Sequence, residues 1–405
     1  MSASDSSHVT GNTQVRPDRR DFGKMALGGA LGVAALFPAA ASATVHPNPP
    51  GIKIATSFRA DPSDEDLLFL NQIGVEYVSL PATPETANAE SFTKMRERYE
   101  AAGIKVYNVG SGVGPSGSLH NMPEVTLNLP GRDQKIEEYK NYLRYLGKAG
   151  IHYTTYAHMG NGIWSSGRAK TRGCDTREFD MASPNKRGFW GGKTYEYPLS
   201  HGREFTKEEI WDNYTYFIKQ VVPVAQEAGV RVGIHPDDPP VPVLAGVPRC
   251  IFGNFEGYKR AMEIANSPNV GICLCCGTWL EGGKELTGKD PEEMIRYFGA
   301  QKKIFKIHFR NVSAPYPHFI ETFMDNGYYD MYKIMKALRD VDFDGIVIPD
   351  HVPRMGPAPA PQQQRAGGGG GAGRQSADPF YRAGLAYSVS YMRALRDRAN
   401  REAKA

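Results

Sequence analysis

From residue 52 onward two hydrophobic rhythms alternate along the chain. Short runs rich in β-branched and aromatic residues, of the length expected for buried strands, fall at 52–56, 77–80, 105–109, 152–156, 231–235, 270–275, 304–309 and 345–350. Between and after them, apolar residues recur every three or four positions, as on one face of a helix. These segments are 64–73, 89–102, 134–149, 207–228, 254–265, 291–298, 331–341 and 380–398. Gly74, Gly103, Gly150 and Gly229 follow four of them, where a glycine readily takes the left-handed conformation that stops a helix. Eight strands, each followed by a helix, predict an α/β fold, a (β/α)8 TIM barrel in a single domain. A doubly wound open sheet competes, but no glycine-rich phosphate loop follows the first strand.

Two segments interrupt the rhythm. Residues 157–206 separate the fourth strand from its helix and hold Trp164 and Trp190. They fall on the strand C-terminal side, where barrel active sites are built, so a lid or substrate loop is expected there, with Trp164 and the nearby His158 as substrate contacts. Residues 356–377 are Gly/Pro-rich and read as a flexible solvated loop. The first 43 residues differ in kind from the rest. Arg19-Arg20 precedes a Gly/Ala-rich apolar run from Met25 to Phe37, and Ala41-Ser42-Ala43 offers a cleavage site. This is the pattern of a twin-arginine signal peptide, so residues 44–405 are expected to form the exported catalytic domain, periplasmic or extracellular. The apolar run is short and glycine-rich, so stable membrane insertion is not expected.

Composition narrows the class without choosing a chemistry. Hydrophobic residues make up 40% and charged residues 23% of the 405, and the formal net charge is +4. That balance is ordinary for a soluble enzyme, and without a basic stripe it excludes a nucleic-acid partner. Five cysteines form no disulfide framework, and three of them crowd one strand at 273, 275 and 276.

The chemistry gathers at the ends of the last four strands. Strand five ends at His235, strand six at Cys275, strand seven at His308 and strand eight at Asp350. In a parallel barrel all strand C-termini open at one mouth, so these residues can converge despite their spacing. Two imidazoles, a thiolate and a carboxylate form a complete ligand set for a divalent metal. Each alone reads as a packed or hydrogen-bonded core residue; the coincidence on four consecutive strands favours the metal. His351, beside Asp350, is the candidate acid–base group, with Tyr381 second. Arg59 and Arg310 are candidates for holding a substrate carboxylate, with barrel-rim salt bridges as the plain alternative, and His120 is a further candidate contact.

Around these residues the sequence resembles the mannonate dehydratases. The resemblance rests on His235-Pro-Asp-Asp-Pro-Pro240 with Gly246-Val-Pro-Arg249, on Cys275 to Thr278, and on His308-Phe-Arg-Asn-Val312. Asp330-Met-Tyr and Pro349-Asp-His351 continue it, and Ser57-Phe-Arg59 and the helix from Tyr139 to Gly150 extend it upstream. It covers most of residues 52–355. The resemblance implies a barrel related to the xylose-isomerase-like enzymes, with Mn²⁺ bound by His235, Cys275, His308 and Asp350. Ligand softness alone would select Zn²⁺, and Fe²⁺ is also compatible with the set. The chain departs from the family pattern in its leader, in Cys276-Gly-Thr-Trp-Leu-Glu-Gly-Gly283, and in the glycine-rich stretch before Phe380-Tyr381. The implied activity is dehydration of a D-mannonate-like sugar acid to a 2-keto-3-deoxy acid. The competing readings are a metal-dependent isomerase, epimerase or lyase on another, oxidised sugar, and a non-catalytic exported sugar-binding barrel. The expected partner is a small sugar acid, and homo-oligomerisation is left open.

Overall fold

The structure, a computed structural model, describes residues 45–46, 48–111, 113–357 and 378–402. The proposed leader and nearly all of the low-complexity segment lie outside these residues. Eight parallel strands close into a barrel: β1 (Lys53–Ser57), β2 (Tyr77–Pro81), β3 (Lys105–Ser111), β4 (Tyr153–Ala157), β5 (Arg231–His235), β6 (Val270–Cys275), β7 (Ile304–Phe309) and β8 (Ile346–Pro349). Each pairs with its sequence neighbours, and β8 returns to β1. The eight strand–helix units anticipated from the periodicity are therefore present, with boundaries that agree to within two residues except at the last helix, which runs on to Glu402.

The helices form the outer layer. They are α1 (Asp64–Gln72), α2 (Ala89–Glu100), α3 (Arg132–Lys148), α4 (Lys207–Glu227), α5 (Phe255–Ala265), α6 (Cys276–Thr287), α7 (Pro291–Ala300), α8 (Met331–Asp340) and α9 (Pro379–Glu402). Their starts are written in the sequence. Thr206 accepts from the Glu209 amide while the Glu209 carboxylate accepts from the Thr206 amide, a reciprocal cap that fixes the first turn of α4. Losing such a cap costs about 1 kcal/mol.

Strand alternation decides which side chains reach the mouth. Val232 and Ile234 of β5 pack in the layer between barrel and helices, which turns Gly233 and His235 inward. Ile272 and Leu274 of β6 pack in that same layer, and so do Ile307 and Phe309 of β7. Cys273, Cys275, Lys306 and His308 therefore face the barrel interior. Ile346 and Ile348 of β8 belong to the interior cluster with Ala55, Tyr107, Tyr153 and Phe305, and Asp350 follows them on that face. The register sets Cys275 beside His308 and His308 beside Ile348. The three clustered cysteines thus separate into two inward positions, Cys273 and Cys275, and one outward, Cys276, which begins α6.

The insert between β4 and α4 is folded wall rather than open loop. Ile163–Ser165, Arg187–Trp190 and Lys193–Tyr195 make one small antiparallel sheet. Gly167–Thr171 and Cys174–Asp180 join His318–Thr322 and Asn311–Val312, from the connection after β7, in a second. Within the first sheet Trp164 is fully buried, and its indole Nε1 donates to the Asn161 carbonyl at 3.0 Å. The expectation that Trp164 contacts substrate is corrected: it is core of the insert.

Candidate active site

Ligand-type atoms of His235, Cys275 and His308 lie within 4.8 Å of one another. Asp350 completes the group, with Oδ2 at 3.5 Å from Cys275 Sγ and Oδ1 at 3.7 Å from His308 Nδ1. The four residues predicted from strand ends are brought together. His235 donates through Nδ1 to the Pro236 carbonyl at 2.7 Å, which leaves its Nε2 for the cluster. Both nitrogens of His308 are buried without a hydrogen-bond partner. An imidazole so placed costs free energy unless another group uses its lone pair, and a metal ion does that.

The electrostatics fit the same reading. Burial lowers the pKa of both imidazoles, so they stay neutral, as metal ligands must be. Burial opposes ionisation of Asp350, but the charges of His351 and Arg310 outweigh it and hold its carboxyl well below the usual range. Cys275 is the one donor pushed the other way: burial raises its thiol even with Arg310 beside it. Thiolate formation there needs a further cation. The backbone favours it, because Cys275 caps α6 and its Sγ accepts from the Thr278 amide at 3.4 Å and from the Thr278 hydroxyl at 3.2 Å.

Arg310 binds this cluster from behind. It is 1% exposed; its Nε donates to Asp350 at 3.1 Å, Nη1 to Glu281 at 2.7 Å, and Nη2 to Thr278 Oγ1 at 3.1 Å and Cys275 Sγ at 3.6 Å. A Cβ on Gly277 would lie 2.6 Å from this guanidinium, so only glycine lets α6 start against it. The expectation that Arg310 grips a substrate carboxylate is corrected: its donors are spent on Asp350, Cys275, Thr278 and Glu281. Breaking such a buried pair typically costs about 3–5 kcal/mol. Arg59 also has a structural task, an ion pair at 3.1 Å with Asp66, which closes the reciprocal cap of α1.

The remaining candidates separate. His158 follows β4 on its outer side, packed against Tyr156, Tyr214 and Phe252, with Nδ1 2.5 Å from the Tyr156 hydroxyl. Burial lowers its pKa to about 3. It is a neutral core histidine, and the substrate-contact expectation is corrected on alternation alone. His120 stands beside β4, with Nδ1 3.0 Å from the Thr155 carbonyl and its ring stacked on Trp190.

His351 leaves the chain in a different direction from Asp350, at a φ of +50°. Such a conformation is uncommon outside glycine and costs on the order of 1 kcal/mol or more, so the surroundings must hold it. Its Nδ1 is 2.6 Å from Glu321 Oε1, and its Nε2 is 3.8 Å from Asp350 Oδ1. Burial disfavours the imidazolium, but Asp350 and Glu321 outweigh burial and push its pKa up to about 9. Tyr381, in the first turn of α9, is near enough that the Asp350 charge adds to burial in raising its phenol up to about 12.

Several residues here carry no local signal in the sequence. Arg177, from the insert, meets Glu281, Asp238 at 2.7 Å and Glu321 at 2.6 Å. Asp238 also accepts from the Thr278 hydroxyl at 3.0 Å, and its pKa falls to about 2 because Arg177 and Arg310 outweigh burial. Asp238 lies inside the His-Pro-Asp-Asp element and Glu281 inside the 276–283 stretch that departs from the family pattern, but nothing local in the sequence pairs either with Arg177. Below the cluster, Lys306 is buried in the barrel with Nζ 3.5 Å from Ser79 Oγ.

A closed parallel barrel that gathers a His, Cys, His and Asp group at its C-terminal mouth places the chain among the (β/α)8 proteins with metal-type donors at that end. The particular family follows from comparison with known proteins. Residues 194–394 match the family model for D-mannonate dehydratase (UxuA). The mannonate dehydratase of Thermotoga maritima is 32% identical over 293 residues, spanning 65% of this chain and 77% of that protein. Mannonate dehydratase 2 of Halalkalibacterium halodurans is 31% identical over 247 residues, covering 56% and 70% of the two chains. The chain belongs to the mannonate dehydratase family. Its fold matches the crystal structure of mannonate dehydratase from Streptococcus suis serotype 2 with a TM-score of 0.70, at 24% identity, over 87% of this chain and 96% of that one. A xylose isomerase domain protein from Planctomyces limnophilus shares the fold more distantly, with a TM-score of 0.53, 14% identity, and coverage of 87% and 99%.

Proposed function

We propose that this chain dehydrates a sugar acid of the D-mannonate type to a 2-keto-3-deoxy acid, using a divalent cation held by His235, Cys275, His308 and Asp350. The observation that carries the reading is His308, buried with both ring nitrogens unpartnered beside a thiol and a carboxylate. A proton beside a carboxylate is barely acidic, and a bound divalent cation supplies the neutralising charge that its removal requires. Overall the hydrogen on C2 and the hydroxyl on C3 depart as one water. The C2–H electron pair becomes the C2–C3 double bond of an enol, which takes a proton at C3 and becomes the ketone. The leaving hydroxyl needs a proton donor. His351 fits that task, since Glu321 occupies its Nδ1 and leaves Nε2 for the substrate side, and Tyr381 stands second. Arg310 and Thr278 hold the donor atoms in place rather than touching substrate.

Mn²⁺ is the proposed ion. Affinity alone would select Zn²⁺ for a thiolate with two imidazoles, but a protein folded before export takes its metal from the cytoplasm. Export itself is proposed from Arg19-Arg20 and the apolar run after it. Replacing both arginines with lysine is expected to retain the full-length chain in the cytoplasm; unchanged export overturns that proposal.

The function is tested by incubating metal-loaded protein with a panel of sugar acids and keto-sugars and weighing the products. A product lighter than its sugar acid by one water is expected. Isomers of unchanged mass would instead favour the isomerase or epimerase reading.

A further inference from the structure

Glu321 lies outside the barrel strands and outside every element the sequence singles out. It sits on His318–Thr322, paired antiparallel to Cys174–Asp180 of the insert, and is 4% exposed. One oxygen, Oε1, receives three cationic groups: His351 Nδ1 at 2.6 Å, Arg177 Nε at 2.6 Å and Arg310 Nη1 at 3.3 Å. Arg177 is itself fixed, donating through Nη1 to Asp238 at 2.7 Å and to the Trp164 carbonyl at 2.8 Å. A guanidinium from the insert's strand thus holds a carboxylate against Nδ1 of His351.

We infer that Glu321 is a positioning residue for His351 and that the insert, through Arg177, serves to clamp it there. A histidine fastened at one nitrogen presents the other in a fixed direction and tautomer. His351 needs such a fastening, because its side chain is 38% exposed and its backbone is in the left-handed region. Without Glu321 the ring would turn toward solvent, and a misdirected proton donor loses rate without loss of binding. This assigns the insert a catalytic-geometry task in place of the lid expected from its position. The inference rests on the reading of His351 as the proton donor, so its test must separate the two.

The test is a double-mutant cycle on the metal-loaded enzyme with Glu321→Gln, His351→Asn and the pair. Glu321→Gln is expected to lower kcat by about tenfold or more with KM within about threefold, and to cost no more than about twofold when His351 is already Asn. An equal cost on both backgrounds would mean that Glu321 acts through Arg177 and Arg310 instead, and the inference falls. A His351→Asn enzyme at the parent rate would instead remove the proton role, and the inference with it. Should Glu321→Gln fail to fold or to hold metal, the parent protein decides. Loaded with diamagnetic Zn²⁺, it should show a strongly downfield proton on Nδ1 of His351, assigned by its absence in His351→Asn. A spectrum without that proton overturns the inference.

Discussion

His235→Ala and Asp350→Ala are expected to release the divalent ion and to abolish turnover. The parent should carry about one ion per chain, because four donors from three elements and a strand end converge on one point. Each variant removes one donor and opens the site to water, and metal binding also requires the others to remain deprotonated. Turnover should fall by at least ~10³-fold, the rate equivalent of several kcal/mol of lost charge stabilisation. The two variants differ in a second readout. Asp350→Ala also takes an acceptor from Arg310 Nε, so it should lower the melting temperature beyond what metal loss explains, whereas His235→Ala should not. Elemental analysis after dialysis checks the first expectation and calorimetry of the metal-free forms the second. Full metal occupancy in both variants would contradict the ligand assignment.

The second large effect separates proton transfer from metal binding. His351→Asn is expected to keep its ion and lose on the order of 10²–10⁴-fold in kcat, the usual worth of a general acid or base. The geometry underlies the separation: Asp350 turns toward Cys275 and His308, whereas His351 turns toward Glu321. Asn is also among the residues that tolerate the left-handed backbone at this position, so the substitution adds little strain. Metal analysis and steady-state kinetics on one preparation check it. A rate within a few-fold of the parent moves the role to Tyr381, and loss of the ion would show that the two neighbours exchange tasks.

What the sequence discloses is what depends on local period. Buried strands with β-branched runs and helices with a three-to-four repeat fix the barrel, and the convergence of His235, Cys275, His308 and Asp350 follows from topology alone. Helix α6 escapes the periodicity for a physical reason. Its cap is a cysteine thiol rather than Ser, Thr, Asp or Asn, and Gly283 breaks it at a φ of +61°. The partners of charged residues are equally hidden. Arg310 looks like a substrate arm until Glu281, Thr278 and Asp350 are seen to occupy it. Arg177 and Glu321 lie 144 positions apart and meet only because two strands outside the barrel pair. His158 misses the mouth for a simpler reason: one residue beyond β4, the alternation has turned it to the outer side.

Dehydration across C2 and C3 leaves its mark on the product when the reaction is carried out in deuterium oxide. Metal-loaded protein given D-mannonate in that solvent should release a 2-keto-3-deoxy acid with one solvent deuterium, located at C3 by nuclear magnetic resonance, and metal-stripped protein should release none. A sugar that keeps all its hydroxyls and carries deuterium at C2 would make the chain an epimerase or isomerase, and turnover unaffected by stripping the metal would contradict a metal-dependent dehydration.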